Sequence, residues 1–256
     1  MAMSNQQKYK VTLAGFVITL AGALLFSTKA IIVKLAFKHT AMNALSLLTL
    51  RMLFALPFYL VAAWIAAKAK NTTPLTGRQW GVIVFLGLFG YYLSSLFDFV
   101  GLQYITAGLE RLILFLYPTF AILLNAFIFK QRVNRIQKIA LLLTYTGIAV
   151  AYVGELQLDM NNPDFLWGSF LIFLCSVTFA VYITGSGRII PQVGAGRFTA
   201  YAMLAATTGI FIHFALAGLM PAAGFSGIHW GYGLLLAIVA TVLPSFLISN
   251  GMKRIG

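Results

Sequence analysis

Five ionisable residues stand inside long apolar runs of this chain: Lys29, Arg51, Asp98, Glu110 and Arg111. An ionised side chain within a bilayer costs about 2.5–3.5 kcal/mol on insertion scales, so such groups face a bundle interior, paired or hydrated. Three cations against two anions leave one positive charge over, which suits a substrate carboxylate or phosphate, with Lys29 the first candidate. The opposing reading sends Arg51 and Arg111 out to lipid headgroups and holds Asp98 and Glu110 in structural ion pairs. Tyr91, Tyr92, Ser95 and Tyr182 carry polar tips within apolar runs and suit either a cavity wall or plain packing. Pro118 and Pro244 each remove a backbone donor and bend a helix, as a transport hinge or as a tolerated kink. His213 is a candidate for proton coupling, weighed against a merely hydrogen-bonded histidine. Cys175, the one cysteine, reads as a packing residue.

Other chemistries lack their residues. The chain has no Gly-x-x-x-x-Gly-Lys-Ser/Thr; Gly185-Ser186-Gly187 and Gly194-Ala195-Gly196 lack the lysine that a phosphate loop requires. It has no His-Glu-x-x-His, and the two intramembrane acids have no nucleophile or metal constellation beside them. No catalytic residue, metal or other cofactor is expected, and an integral membrane enzyme or a non-transporting scaffold stands as the alternative to a transporter.

The elements that hold these residues follow from composition. Of 256 residues, 61% are hydrophobic and 9% charged, where a soluble domain has roughly 25% charged. A mean hydropathy of +0.91 leaves too few polar side chains to cover a water-exposed surface. The expected partners are therefore the lipid bilayer and a small-molecule substrate, with a second copy of this chain as a candidate homodimer partner. The formal charge of +13 does not point to nucleic acid, because the basic residues punctuate apolar runs instead of forming one patch.

A helix needs ~20 apolar residues to cross the hydrocarbon core. Runs of that kind fall at 11–36, 43–67, 80–101, 105–129, 136–154, 165–190, 197–220 and 230–250. None alternates as a membrane strand does, so an all-α multi-pass bundle is expected. A cytoplasmic N-terminus places Lys8, Lys10, Lys68, Lys70, Arg78, Lys130, Arg132, Arg135, Lys138, Arg188, Arg197, Lys253 and Arg254 inside. Only Lys34 and Lys38 then fall outside, with the loop acids Glu155, Asp159 and Asp164, a strong positive-inside bias that suits a bacterial-type inner membrane. The sequon Asn71-Thr72-Thr73 falls on the cytoplasmic side.

Shifting the chain by 150 residues lays Trp80–Thr106 on Trp230–Gly256 without a gap. Identities fall at Trp80/Trp230, Gly81/Gly231, Leu86/Leu236, Leu93/Leu243, Ser95/Ser245, Gly101/Gly251 and Ile105/Ile255. Arg78 precedes the first copy, whereas Lys253-Arg254 close the second, so the copies point in opposite directions. Two domains are expected: a five-helix repeat over 1–154 and an inverted copy over 165–256 that holds three helices. The second copy stops at Gly256, aligned with Thr106, so the chain is expected to carry eight spans of a ten-span design.

These residues resemble the EamA family of the drug/metabolite transporter superfamily. The resemblance rests on Lys34, Arg51, Gly101-Leu102-Gln103-Tyr104, Ala107-Gly108 followed by Pro118, and the basic loop Lys130 to Lys138. It implies ten helices in two five-helix repeats, with a central cavity drawn from helices 1, 3, 4, 6, 8 and 9. Where family members close helix 4 with Gly-Glu, this chain has Lys130-Gln131, and no role of that glutamate carries over. The function implied is a secondary transporter, an exporter or exchanger of a small polar metabolite such as an amino acid or organic anion, working by alternating access.

Overall fold

The computed structural model describes residues 5–68, 74–128, 130, 133–159, 163–218 and 224–255, with the side chains of 5–12, 151–159, 252, 253 and 255 excepted. Lys70, Asn71, Thr72, Thr73, Gln131 and Arg132 therefore lie outside the described residues, as do the side chains of Lys8, Lys10, Glu155, Asp159 and Lys253. What is described is helical, without a strand among the described residues. Among the described residues, seven stretches are long and apolar enough to cross a membrane: Leu13–His39, Ala44–Lys68, Gly77–Tyr104, Ala107–Phe127, Phe165–Val193, Ala195–Leu216 and Gly227–Gly251. The expected span 136–154 falls on the helix Arg135–Asp159, whose side chains are described only in part.

The first long rod is two helices, α1 (Asn5–Ser27) and α2 (Lys29–His39), separated at Thr28. The Thr28 and Ser27 hydroxyls donate to Leu25 O and Leu24 O, both at 2.7 Å, and so supply side-chain partners to carbonyls of the last turn of α1. The sequence reading expected one continuous span here. Nothing in Phe26–Ala30 is Pro or Gly, so the interruption has no breaker to announce it. Next come α3 (Ala44–Lys68) and a rod of α4 (Gly77–Phe85), a π-helical segment Leu86–Leu93 and α5 (Ser94–Tyr104).

The fourth rod is also divided, into α6 (Ala107–Leu114) and α7 (Tyr117–Phe127). Pro118 sits in the first turn of α7, where its missing N–H would have no intrahelical partner in any case. The bend anticipated from that proline is thus a break at Phe115–Leu116. Then follow α8 (Arg135–Asp159), α9 (Phe165–Val193), α10 (Ala195–Leu216) and a rod of α11 (Gly227–Ala237), a second π-helical segment Ile238–Val242 and α12 (Leu243–Ile255). Pro244 stands in the first turn of α12, directly after that π-helical segment.

Glycines set the closest crossings. A Cβ on Gly101 in α5 would lie 2.6 Å from Ile172 Cδ1 in α9, and one on Gly168 would lie 2.7 Å from Tyr104 Cβ. On the other side, Gly22 of α1 meets Leu247 and Ile248 of α12, and Gly251 of α12 meets Thr19 of α1. Aromatic contacts tie the α4 rod to α10, through Trp80 on Tyr201 at 4.7 Å, and α11 to α3, through Trp230 on Phe54 at 5.8 Å. The charged residues lie inside this frame, where the divided first and fourth rods meet α5 and α9.

Candidate functional site

Lys29 opens α2, directly after the break, and its Nζ lies 2.7 Å from Asp98 Oδ2 on α5. Lys29 is 4% exposed and Asp98 0%, so this ion pair is shielded from solvent. The ammonium also stands 4.8 Å from the centre of the Phe26 ring. Glu110, in the first turn of α6, is fully buried; its Oε2 lies 3.1 Å from Arg111 Nε, and its carboxyl adjoins that of Asp98. Arg111 reaches across to the interrupted end of α1, donating to Phe26 O at 3.3 Å and Ser27 O at 3.1 Å. A helix end buried in a bundle needs partners for its last carbonyls, and this guanidinium supplies them.

Four of the five charges expected to meet therefore do meet: Lys29, Asp98, Glu110 and Arg111. They meet as pairs, with both acids engaged. Arg111 is held by protein partners, Glu110 and the end of α1.

Arg51 of α3 stands next to this group. It is 1% exposed, donates from Nη2 to Ser95 Oγ at 3.0 Å, and stacks its guanidinium on Phe99 at 4.8 Å with Tyr91 at 5.8 Å. Its Nε has no hydrogen-bond partner, and no carboxylate pairs with it among the described residues. A buried guanidinium without a counter-charge is a large source of positive potential, and Ser95 is the group through which it reaches the cavity.

That cavity is small, with about 10 Å³ of open space, enough for a single water, and is lined by Lys29, Tyr91, Ser94, Ser95 and Cys175, with Phe26, Leu114 and Phe179 closing it. The Ser94 hydroxyl lies 3.3 Å from Cys175 Sγ. Phe26, Leu114 and Phe179 also border a second, larger chamber of about 220 Å³ that extends along α1, α6, α7, α9 and α12. Phe26 and Phe179 stack at 5.9 Å between centroids with planes 9° apart, and Tyr117 meets Phe179 edge-on at 5.1 Å. A side chain pair of this kind separates two compartments without sealing them by hydrogen bonds.

The remaining candidates are placed less centrally. Tyr182 is buried among the rings of Tyr91, Phe179 and Phe198, behind the wall rather than in it. His213 accepts or donates to Tyr92 OH at 2.8 Å and lines neither chamber. Ser245, on the helix that follows the second π-helical segment, joins Tyr59 OH at 2.9 Å. The wall residues Phe26, Leu114, Phe179, Ser94 and Cys175 were not singled out from sequence as site residues, because a Phe or Leu in an apolar run reads as lipid-facing. Spacing held a signal for Leu114, four residues after Glu110 on one face of α6, whereas Phe26 meets Lys29 across the break at Thr28.

The chemistry available is recognition, not bond-making. An ion pair bordering a cavity can open to give its ammonium to an incoming carboxylate, with Ser95 and the Arg51 field beside it. The helix interruptions at Thr28 and Phe115–Leu116 and the first π-helical segment, through Tyr91, border this site, and irregular backbone at membrane depth is tolerated where it is buried in protein or lines a cavity.

Comparison with known proteins agrees. The profile of the EamA-like transporter family matches residues 13–153. The uncharacterized transporter YcbK of Bacillus subtilis is 30% identical over all of this chain and 82% of its own length. The uncharacterized transporter YetK of the same organism is 23% identical over 73% of this chain and 57% of its own length, and an uncharacterized transporter of Archaeoglobus fulgidus is 22% identical over 46% of this chain and 41% of its own. A solved crystal structure, 20% identical, superimposes with a TM-score of 0.67 over 96% of this chain and 80% of its own, which speaks to the fold alone.

Proposed function

Because this chain belongs to the EamA-like transporter family and is a multi-pass membrane transporter, we propose that it is a secondary transporter that exports or exchanges a small polar metabolite, an amino acid or an organic anion. The observation that carries the reading is the meeting of two interrupted helices at a buried charge cluster: Arg111 on the carbonyls of Phe26 and Ser27 at the end of α1, beside the Lys29–Asp98 pair that borders a cavity. Interrupted helices around a charged cavity are a recurrent way of binding a polar substrate within a bilayer.

In this reading Lys29 takes the substrate carboxylate, Asp98 takes a cationic group or holds Lys29 while the site is empty, and Ser95, oriented by Arg51, adds a hydroxyl. Glu110 and Arg111 position α1 against α6. The halves 1–154 and 165–256 rock against each other as inverted repeats, with Pro118 and Pro244 at the bends, in an inner membrane with the N-terminus cytoplasmic. Arg78 and Arg188, which line a third cavity of about 400 Å³ between α4 and the far end of α9, then face the cytoplasm.

Counterflow in proteoliposomes tests the reading. Purified protein should exchange a labelled amino or carboxylic acid against an internal pool of the same compound, above protein-free vesicles. Lys29→Met combined with Asp98→Asn leaves neither charge stranded and should lower exchange about tenfold or more, with the yield of folded protein kept. Full exchange by that double variant would remove the pair from the site.

A further inference from the structure

We propose that the cavity between α4 and the far end of α9 binds a phosphate group, supplied by an anionic phospholipid headgroup or by soluble phosphate. This cavity shares no lining residue with the two beside Lys29, so the inference does not depend on which solute is carried. Its lining brings together two guanidiniums from different rods, Arg78 in the first turn of α4 and Arg188 near the end of α9. Thr76, Gln79 and Gln192 add polar groups, and no Asp or Glu belongs to the lining. Arg78 enters no ion pair among the described residues. Arg188 donates to Asn125 Oδ1 at 3.5 Å, a neutral partner that steadies the guanidinium without cancelling its charge. Gln79 turns its Oε1 to Thr76 N at 3.0 Å, so the amide nitrogen is the end of this side chain that can donate to a ligand. The start of α4 adds the positive end of a helix dipole.

Size and depth then select the anion. About 400 Å³ falls within the roughly 300–1,000 Å³ of ligand sites, and the planar fork of arginine matches phosphate oxygens two at a time. Arg78 opens the membrane-length stretch Gly77–Tyr104, and Arg188 stands one turn or so before the end of Phe165–Val193. Trp80 follows Arg78 and is exposed, at the level where tryptophan marks the edge of the hydrocarbon. Lipid phosphates lie at that depth, and basic pockets between membrane helices hold anionic headgroups. Val84 and Phe85, also exposed on α4, continue the same rod as an apolar face for acyl chains.

The test is thermal unfolding of the detergent-solubilised protein in a constant background of sodium chloride. Mixed micelles carrying phosphatidylglycerol should raise the melting temperature by about 3 °C or more over micelles carrying phosphatidylcholine, whose headgroup has no net charge. Inorganic phosphate in lipid-free micelles, at equal ionic strength, separates the sources: a rise with phosphatidylglycerol alone marks the lipid, and a rise with phosphate marks the soluble anion. Arg78→Gln combined with Arg188→Gln, at two exposed positions, should abolish the rise. Arg135→Gln, which removes a charge at the exposed start of α8, should leave it unchanged. If the glutamine pair does not fold, Arg78→Lys with Arg188→Lys keeps the charge and loses the fork, and should cut the rise to about half or less. No rise with either additive, an undiminished rise in the paired variant, or an equal loss in Arg135→Gln would overturn the proposal, the last by showing general charge attraction.

Discussion

Set against each other at an offset of 150 residues, the rods Gly77–Tyr104 and Gly227–Ile255 use the same backbone devices for different ends. In each, the N-cap N–H donates to the side chain three residues on, Thr76 to Gln79 Oε1 at 3.0 Å and Ser226 to His229 Nδ1 at 2.9 Å. Each has a π-helical segment in its middle, Leu86–Leu93 and Ile238–Val242, followed by a serine that bonds to α3. Ser95 takes Arg51, and Ser245 takes the Tyr59 hydroxyl. Each ends at a glycine in close contact, Gly101 against α9 and Gly251 against α1. What differs is the charge: Asp98 in the first rod aligns with Ile248 in the second. Scaffold and chemistry therefore separate, and the buried ion pairs among the described residues lie in one rod's surroundings only.

The comparison breaks most visibly at its point of difference. Asp98→Leu makes the first rod as apolar as the second, strands the Lys29 ammonium, and should destabilise the detergent-solubilised protein by about 3–5 kcal/mol, read as a lower melting temperature and yield. Adding Lys29→Met should restore most of that loss, since the two residues form one interaction. A single variant as stable as wild type would mean that Lys29 has another partner.

The shared devices should respond alike in both rods. Gly101→Ala and Gly251→Ala each force a methyl against a neighbouring helix and should each destabilise by about 1–3 kcal/mol; a large effect in one and none in the other would show that the two crossings are not equivalent. The smallest effect belongs to the caps. Gln79→Ala and His229→Ala each remove the acceptor for an N-cap N–H at an exposed helix start, for about 1 kcal/mol each.

Hydropathy made the rods legible, because ~20 apolar residues leave little alternative, and Pro118 located the fourth-rod break. The break at Thr28 was not legible. It depends on the Ser27 and Thr28 hydroxyls and on Arg111, whose place beside α1 is set by tertiary packing. Nor were the π-helical segments, since hydropathy does not distinguish one turn length from another. At the site, the expected gathering of charges was right for four residues, while the sequence left open whether Lys29 would stand alone or pair with Asp98. The aromatic partition escaped notice for a simple reason: among 22 phenylalanines, nothing in the sequence marks Phe26 and Phe179 as facing each other.

The join between α9 and α10 has a consequence for how the chain is made. Val193 ends one helix and Ala195 begins the next, with Gly194 alone between them at φ +88°, a conformation that L side chains rarely adopt. Most connections in a membrane protein give the ribosome and the insertion machinery slack, so that successive helices can enter the bilayer one after another. Here a single residue joins α9 to α10. An epitope tag placed at this turn would report on a disrupted assembly, whereas ordinary loops are where such insertions are best accepted.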